Sequence, residues 1–120
     1  MTQSEPTSID LSRVVRIQAA FDSENDNFEG ANTPDGKRHH TALHLGKLLG
    51  KVMTVEERAA HGDLDTTVIK KEVIGDLIVF AAQLSRIEGV DLTEAYRERL
   101  GGVAMRNGTD GSATRALSVE

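Results

Sequence analysis

The sequence predicts an all-α protein of four helices, and three observations predict it. Aromatic residues make up only 3% of the 120 residues while apolar residues reach 38%. The core must therefore come from Leu, Ile, Val and Ala, a mix that suits helix-on-helix packing better than a β-sandwich. Apolar residues recur at helical spacing in separate stretches, and segments rich in Gly, Asn and Asp divide them. The length suits one domain. A chain this small buries a limited fraction of its surface, so a homodimer or higher homo-oligomer is expected to complete the bundle.

The first helix is expected over about Ile9 to Ser23, capped by Thr7 or Ser8, with Asp10 in its first turn where the helix dipole favours a negative charge. Its apolar face is read as Leu11, Val14, Val15, Ile17 and Phe21. Residues 24–37 read as a loop, with Pro34-Asp35-Gly36 as a turn and Phe28 as its anchor to the core. The second helix is expected from Arg38 to Met53, with Ala42, Leu45, Leu48, Leu49 and Val52 at helical spacing. Gly46 and Gly50 lie four apart on it and cost helix propensity, so close approach of another helix is expected there, or else a ligand. Residues 54–65 are ambiguous; a short helix over Val55–Ala60, broken by Gly62 and Asp63, is one reading.

The third helix starts at a cap among Asp65, Thr66 and Thr67 and runs to Ile87. It is apolar on most sides through Val73, Ile74, Leu77, Ile78, Phe80, Ala81 and Leu84, and is therefore expected to be central. Gly89 suits its left-handed cap, with Val90 as the accompanying apolar contact. The fourth helix starts near Leu92, capped by Asp91, and is expected to end before Gly101-Gly102. The domain then spans 9–100, between flexible segments 1–8 and 101–120.

Charge and composition exclude several function classes. A net charge of −5 gives no basic face for displacing counterions from nucleic acid. The run Lys37-Arg38-His39-His40 reads as a solvated loop-to-helix junction rather than a phosphate contact. There are no cysteines, hence no disulfides and no thiolate metal site. No stretch approaches the ~18 apolar residues of a membrane span, and Met1 to Pro6 carries no apolar leader, so a cytoplasmic location is expected. P-loop, dinucleotide-binding and nucleophilic-serine motifs are absent.

Chemistry is expected on the third helix. Glu72 and Asp76 are four apart on one face of an otherwise apolar segment. Two neighbouring carboxylates repel and are costly to desolvate; a bound Mg²⁺ would resolve this, or else Glu72 pairs with a Lys or Arg at the helix start and only Asp76 is buried. Gln83 lies two turns beyond Asp76 and could ligate a metal, contact a nucleotide or be a satisfied core amide. His40 and His44 have the i, i+4 spacing of a zinc pair, but no Glu sits between them in the zinc-protease frame and no third ligand is evident. A structural or surface role is expected for them.

The run Gly75-Asp76-Leu77-Ile78-Val79-Phe80-Ala81-Ala82-Gln83-Leu84-Ser85-Arg86 resembles the third helix of MazG-like nucleotide pyrophosphohydrolases. Gly89-Val90-Asp91-Leu92-Thr93-Glu94-Ala95 resembles that family's following turn and fourth helix, and Arg99 stands where the family often has Lys. His44 to Val52 has the layout of its second helix. About three quarters of the chain is covered. The resemblance implies a four-helix MazG-like bundle that hydrolyses nucleoside triphosphates to the monophosphate and pyrophosphate. It also implies Mg²⁺ held by a Glu-Glu-x-x-Glu motif on helix two and a Glu-x-x-Asp motif on helix three. Here the second-helix positions are Lys47, Leu48 and Lys51. On helix three Asp76 matches, but Val73 occupies the Glu position and Glu72 is one residue off it, about 100° around the helix.

The metal ligands expected from this comparison are Asp76 and Glu72. The ligand-binding residues are Gln83, Lys47, Lys51 and Arg99. The two lysines could contact phosphate directly, replacing the metal's charge without its activation of water. Glu56 and Glu57 could substitute for lost ligands. Three functions follow as expectations. One is a nucleotide or phospho-ligand binder with weak or lost hydrolysis. The second is an active Mg²⁺-dependent pyrophosphohydrolase with relocated ligands, and the third a non-catalytic oligomerisation or partner-binding module.

Overall fold

The computed structural model describes residues 10–108 and 111, and every regular element among them is helical. The first, α1, spans Leu11–Asn25. Asp10 caps it, its carboxylate accepting from the Arg13 N–H at 2.7 Å, so one of the helix's orphan amide donors is satisfied. Thr7 and Ser8, the expected caps, lie outside the described residues, as do 1–6 and 112–120. The face α1 buries differs from the expected one. Ile17 and Phe21 are about half exposed, whereas Gln18 is partly covered and Asp22 is buried. The inward stripe is thus Leu11, Val15, Gln18 and Asp22, and it turns polar in its second half.

A tight loop follows. Asp26 and Glu29 take left-handed backbone conformations (φ 47° and 54°) beside Gly30 (φ 82°). Thr33 then caps α2, Pro34–Ala60, with Pro34 in the first turn, where its missing N–H costs nothing. The Pro-Asp-Gly segment therefore starts the helix instead of forming a separate turn. The ambiguous residues to Ala60 continue α2 without a break, since Thr54 to Ala60 contain no breaker and Gly62 supplies the stop at φ 86°.

Asp65 restarts the chain by accepting from the Thr67 N–H at 3.0 Å and its hydroxyl at 2.6 Å. A π-helical turn, Ile69–Val73, runs directly into α3, Ile74–Glu88, with the Ile74 N–H bonded five residues back to the Ile69 carbonyl. α3 is the hub, packing on α1, α2, the π-helical turn and α4, Leu92–Asn107. Its antiparallel register with α2 is marked at both ends by ion pairs, Arg38 with Glu88 and Lys51 with Glu72. Gly89 (φ 67°) closes α3 in the expected left-handed cap. Asp91 caps α4 through the Glu94 N–H at 3.0 Å.

α4 does not stop at Gly101-Gly102. It passes through both and ends at Gly108 in a left-handed cap. Glycine weakens a helix without forbidding one, and the left-handed turn is what terminates it. Gly46 and Gly50 have no neighbour within 4 Å of where a side chain would sit. The close helix approach expected at them is absent within the described chain.

Buried apolar side chains are few. Leu48, Val55, Val73 and Ala82 are almost fully enclosed. Leu43, Leu49, Met53, Ile74, Leu77 and Ile78 remain about half exposed.

Candidate functional site

The cleft between α2 and the start of the third helical segment brings together Lys51 and Glu72, two of the six expected site residues, with Arg58, Asp65 and Lys71. The π-helical turn directs the Glu72 side chain toward α2, where its Oε1 accepts from Lys51 Nζ at 2.8 Å. Val73, in the position where the resembled family has Glu, is buried at 4% exposure. The hydrogen bond that Lys51 donates to Glu72, reinforced by the charges of Glu72 and Asp76, raises the Lys51 pKa above the usual lysine range. Lys51 is thus paired with Glu72, in a half-exposed ion pair that Asp76 influences only through its charge. Glu72 does pair with a base, but that base is Lys51 of α2 and not a residue at the start of the third helix, and Asp76 is only half-buried.

Around this pair lies a cavity of about 370 Å³ lined by Lys51, Thr54, Arg58, Asp65, Thr67, Lys71 and Glu72, with Val55 and Val68 as its apolar floor. Three cations outnumber two carboxylates there. The Asp65 carboxyl is held below the usual carboxylate range by hydrogen bonds from the Thr67 hydroxyl and backbone N–H. Hydroxyls, ammonium groups and a guanidinium in a partly apolar recess are donors suited to phosphate oxygens.

They are not a Mg²⁺ cage. That hard cation needs several oxygen ligands, and here two carboxylates face an ammonium. Among the described residues no three His, Asp or Glu side chains converge on a common point. Glu56 and Glu57 are exposed and do not line this cavity.

The other expected ligand-binding residues are distributed differently. Lys47 is exposed on α2, one turn before Lys51. Arg99 lines a separate shallow depression with Glu98 and Arg106 of α4 and Val90 of the turn before it. Gln83 is buried, and its Nε2 donates to Asp22 Oδ1 on α1 at 3.0 Å. That oxygen also accepts from Gln18 Nε2 at 2.8 Å and Asn27 Nδ2 at 2.7 Å, while Asp22 Oδ2 is buried with no partner. Gln83 is therefore the satisfied core amide of a polar knot joining α1 to α3.

Sequence reading passed over Asp22. Its signal was available: Gln18 and Asp22 continue the Leu11–Val15 stripe at helical spacing. A polar pair on a core-facing stripe needs a buried partner, and Gln83 is the matching residue on α3. Comparison of the chain with family models, curated proteins and solved structures gives no match in any of the three.

Proposed function

We propose that this chain is a MazG-like helical domain that binds a nucleotide or another phosphorylated small molecule and has weak or lost pyrophosphohydrolase activity. One observation carries the reading. A lysine, held by Glu72 in the field of Asp76, stands where a metal-dependent hydrolase would need further carboxylates. A cation at that point favours the phosphate of a ligand. It removes the metal that would position and activate water. Arg58 and Lys71, on opposite walls of the same recess, supply two further donors.

The test is thermal denaturation with ATP, the four dNTPs and pyrophosphate, each with and without Mg²⁺. Saturating ligand is expected to raise the midpoint by about 5 °C, without need of Mg²⁺. Arg58→Glu with Lys71→Glu abolishes the shift. Glu72→Gln, which frees Lys51, tightens binding several-fold. No shift with any of these compounds would dismiss phospho-ligand binding. Mg²⁺-dependent pyrophosphate release that is lost in Asp76→Ala would instead establish an active hydrolase.

A second reading, a non-catalytic homo-oligomerisation module, is favoured by a separate observation. α2 carries an exposed stripe of Leu43, Gly46, Leu49, Gly50 and Met53 on the face opposite its buried one. The two readings are compatible, since that stripe lies on the far side of α2 from Lys51.

A further inference from the structure

The recess between α2 and the π-helical turn holds acceptors as well as cations, and the acceptors narrow the ligand. Lys51 is engaged by Glu72 at 2.8 Å. Among the described residues neither Arg58 nor Lys71 enters an ion pair, and Arg58 acts on Asp65 only through its charge. Two uncommitted cations match the charge of one phosphate monoester, about −1.5 to −2 at neutral pH. A polyphosphate brings more negative charge than they offset, next to two carboxylates that repel it.

Each of those carboxylates keeps one oxygen in reserve. Asp65 uses Oδ1 for both of its bonds with Thr67, and Glu72 uses Oε1 for Lys51. Asp65 Oδ2 and Glu72 Oε2 accept from no donor among the described residues. Ionised carboxylates only accept, so their natural partners on a ligand are hydroxyl groups. A nucleobase, by contrast, is gripped largely by stacking on aromatic faces. None of the nine residues lining the recess is aromatic. Its one guanidinium, Arg58, presents the planar fork that matches phosphate oxygens. Val55 and Val68 offer an apolar floor for the C–H face of a sugar ring. The volume of about 370 Å³ lies near the lower end of the ~300–1,000 Å³ usual for ligand pockets.

We propose that the recess takes a compact phosphate monoester of a sugar, its phosphate on Arg58 and Lys71 and its hydroxyls donating to Glu72 Oε2 and Asp65 Oδ2. The proposal rests on the phospho-ligand reading above and selects within it. A nucleotide is held there through its phosphate and ribose, and its base adds nothing.

The experiment is Mg²⁺-free calorimetry of the full-length protein with methyl phosphate, methyl riboside 5-phosphate, AMP and ATP. The first lacks the sugar, and the second is AMP with a methyl group in place of the base. Methyl riboside 5-phosphate is expected to bind at least about tenfold tighter than methyl phosphate. AMP is expected within about threefold of the riboside, and ATP weaker than AMP. Asp65→Asn together with Glu72→Gln keeps the oxygens that bond Thr67 and Lys51 and turns the two reserve oxygens into N–H donors. Asn also serves as a helix cap, so the fold is kept, and circular dichroism checks it. This variant is expected to bind methyl phosphate more tightly than the native protein does, yet to lose most of the preference for the riboside. Three outcomes would each overturn the sugar assignment and leave phospho-ligand binding standing. They are equal affinity for methyl phosphate and the riboside, AMP more than about tenfold tighter than the riboside, and a preference unchanged in the double variant. Failure of all four compounds to bind would remove both readings together.

Discussion

Asp22 shows how unevenly one carboxylate can be used. Three amide donors converge on Oδ1, and Oδ2 is buried with none. The acceptor at Oδ1 organises the contact between α1, the loop and α3; the second oxygen contributes no bond to it. Asp22→Ala strands the Gln83 amide in the interior and is expected to cost about 2–4 kcal/mol in urea denaturation. Asp22→Asn keeps a carbonyl acceptor for the same donors and is expected to cost about half as much or less. Equal losses in the two variants would mean that charge, and not the Oδ1 acceptor, holds the knot. At this scale the sequence was only partly legible. The spacing of Glu72 and Asp76 suggested two carboxylates on one face, but the identity of their partner is a tertiary fact: Lys51 is 21 residues away from Glu72. Gln83 could be read as ligand or core amide until α1 was seen to present Asp22 to it.

At the scale of elements, boundaries set by one strong local residue were more legible than those that lack one. Asp91 as a cap and Gly89 as a stop are decided by a residue and its nearest neighbours, and both are seen. The continuation of α2 to Ala60 and of α4 through Gly101-Gly102 depends on the absence of a strong competing turn, which is harder to read than its presence. The π-helical turn left no periodic signature, because one widened turn displaces the apolar pattern by only a residue.

Asp65 is the junction on which this part of the fold can be tested. Its carboxyl is held below the usual range by Thr67, so its contribution is fully present above the ordinary carboxylate pKa. That contribution is lost as pH falls through the lowered value of the folded state. Asp65→Ala is expected to lower the thermal midpoint by a few degrees at neutral pH. The deficit should shrink on acidification below about pH 4, where the native protein loses the same bond. A deficit that does not change with pH would assign the effect to helix propensity and not to the carboxylate.

At the scale of the whole molecule, α2 is apolar on two opposite sides. One side packs on α3 through Leu48 and Val55; the other presents Leu43, Leu49 and Met53 around Gly46 and Gly50. α3 adds Ile74, Leu77 and Ile78, each about half exposed. Burying six half-exposed large side chains of this kind is worth roughly 1 kcal/mol apiece. The two glycines give this surface a shape: with no side chains there, another helix can come close to the α2 backbone. The approach expected there from the sequence is supplied by no helix within the described residues.

A second copy is the economical source of that helix, because one self-complementary patch covers both chains at once. Sedimentation velocity is expected to give a dimer or larger assembly at micromolar concentration. Gly46→Leu, which obstructs the close approach without disturbing the buried face of α2, is expected to shift the mass toward monomer, and Leu49→Glu with Met53→Glu to complete the shift. Because the stripe lies opposite Lys51, a dissociated variant should still respond to phosphorylated ligands. If ligand response and assembly are lost together, the recess is completed by the neighbouring copy. If the native protein sediments as a monomer at every concentration, the exposed stripe has no role in self-association.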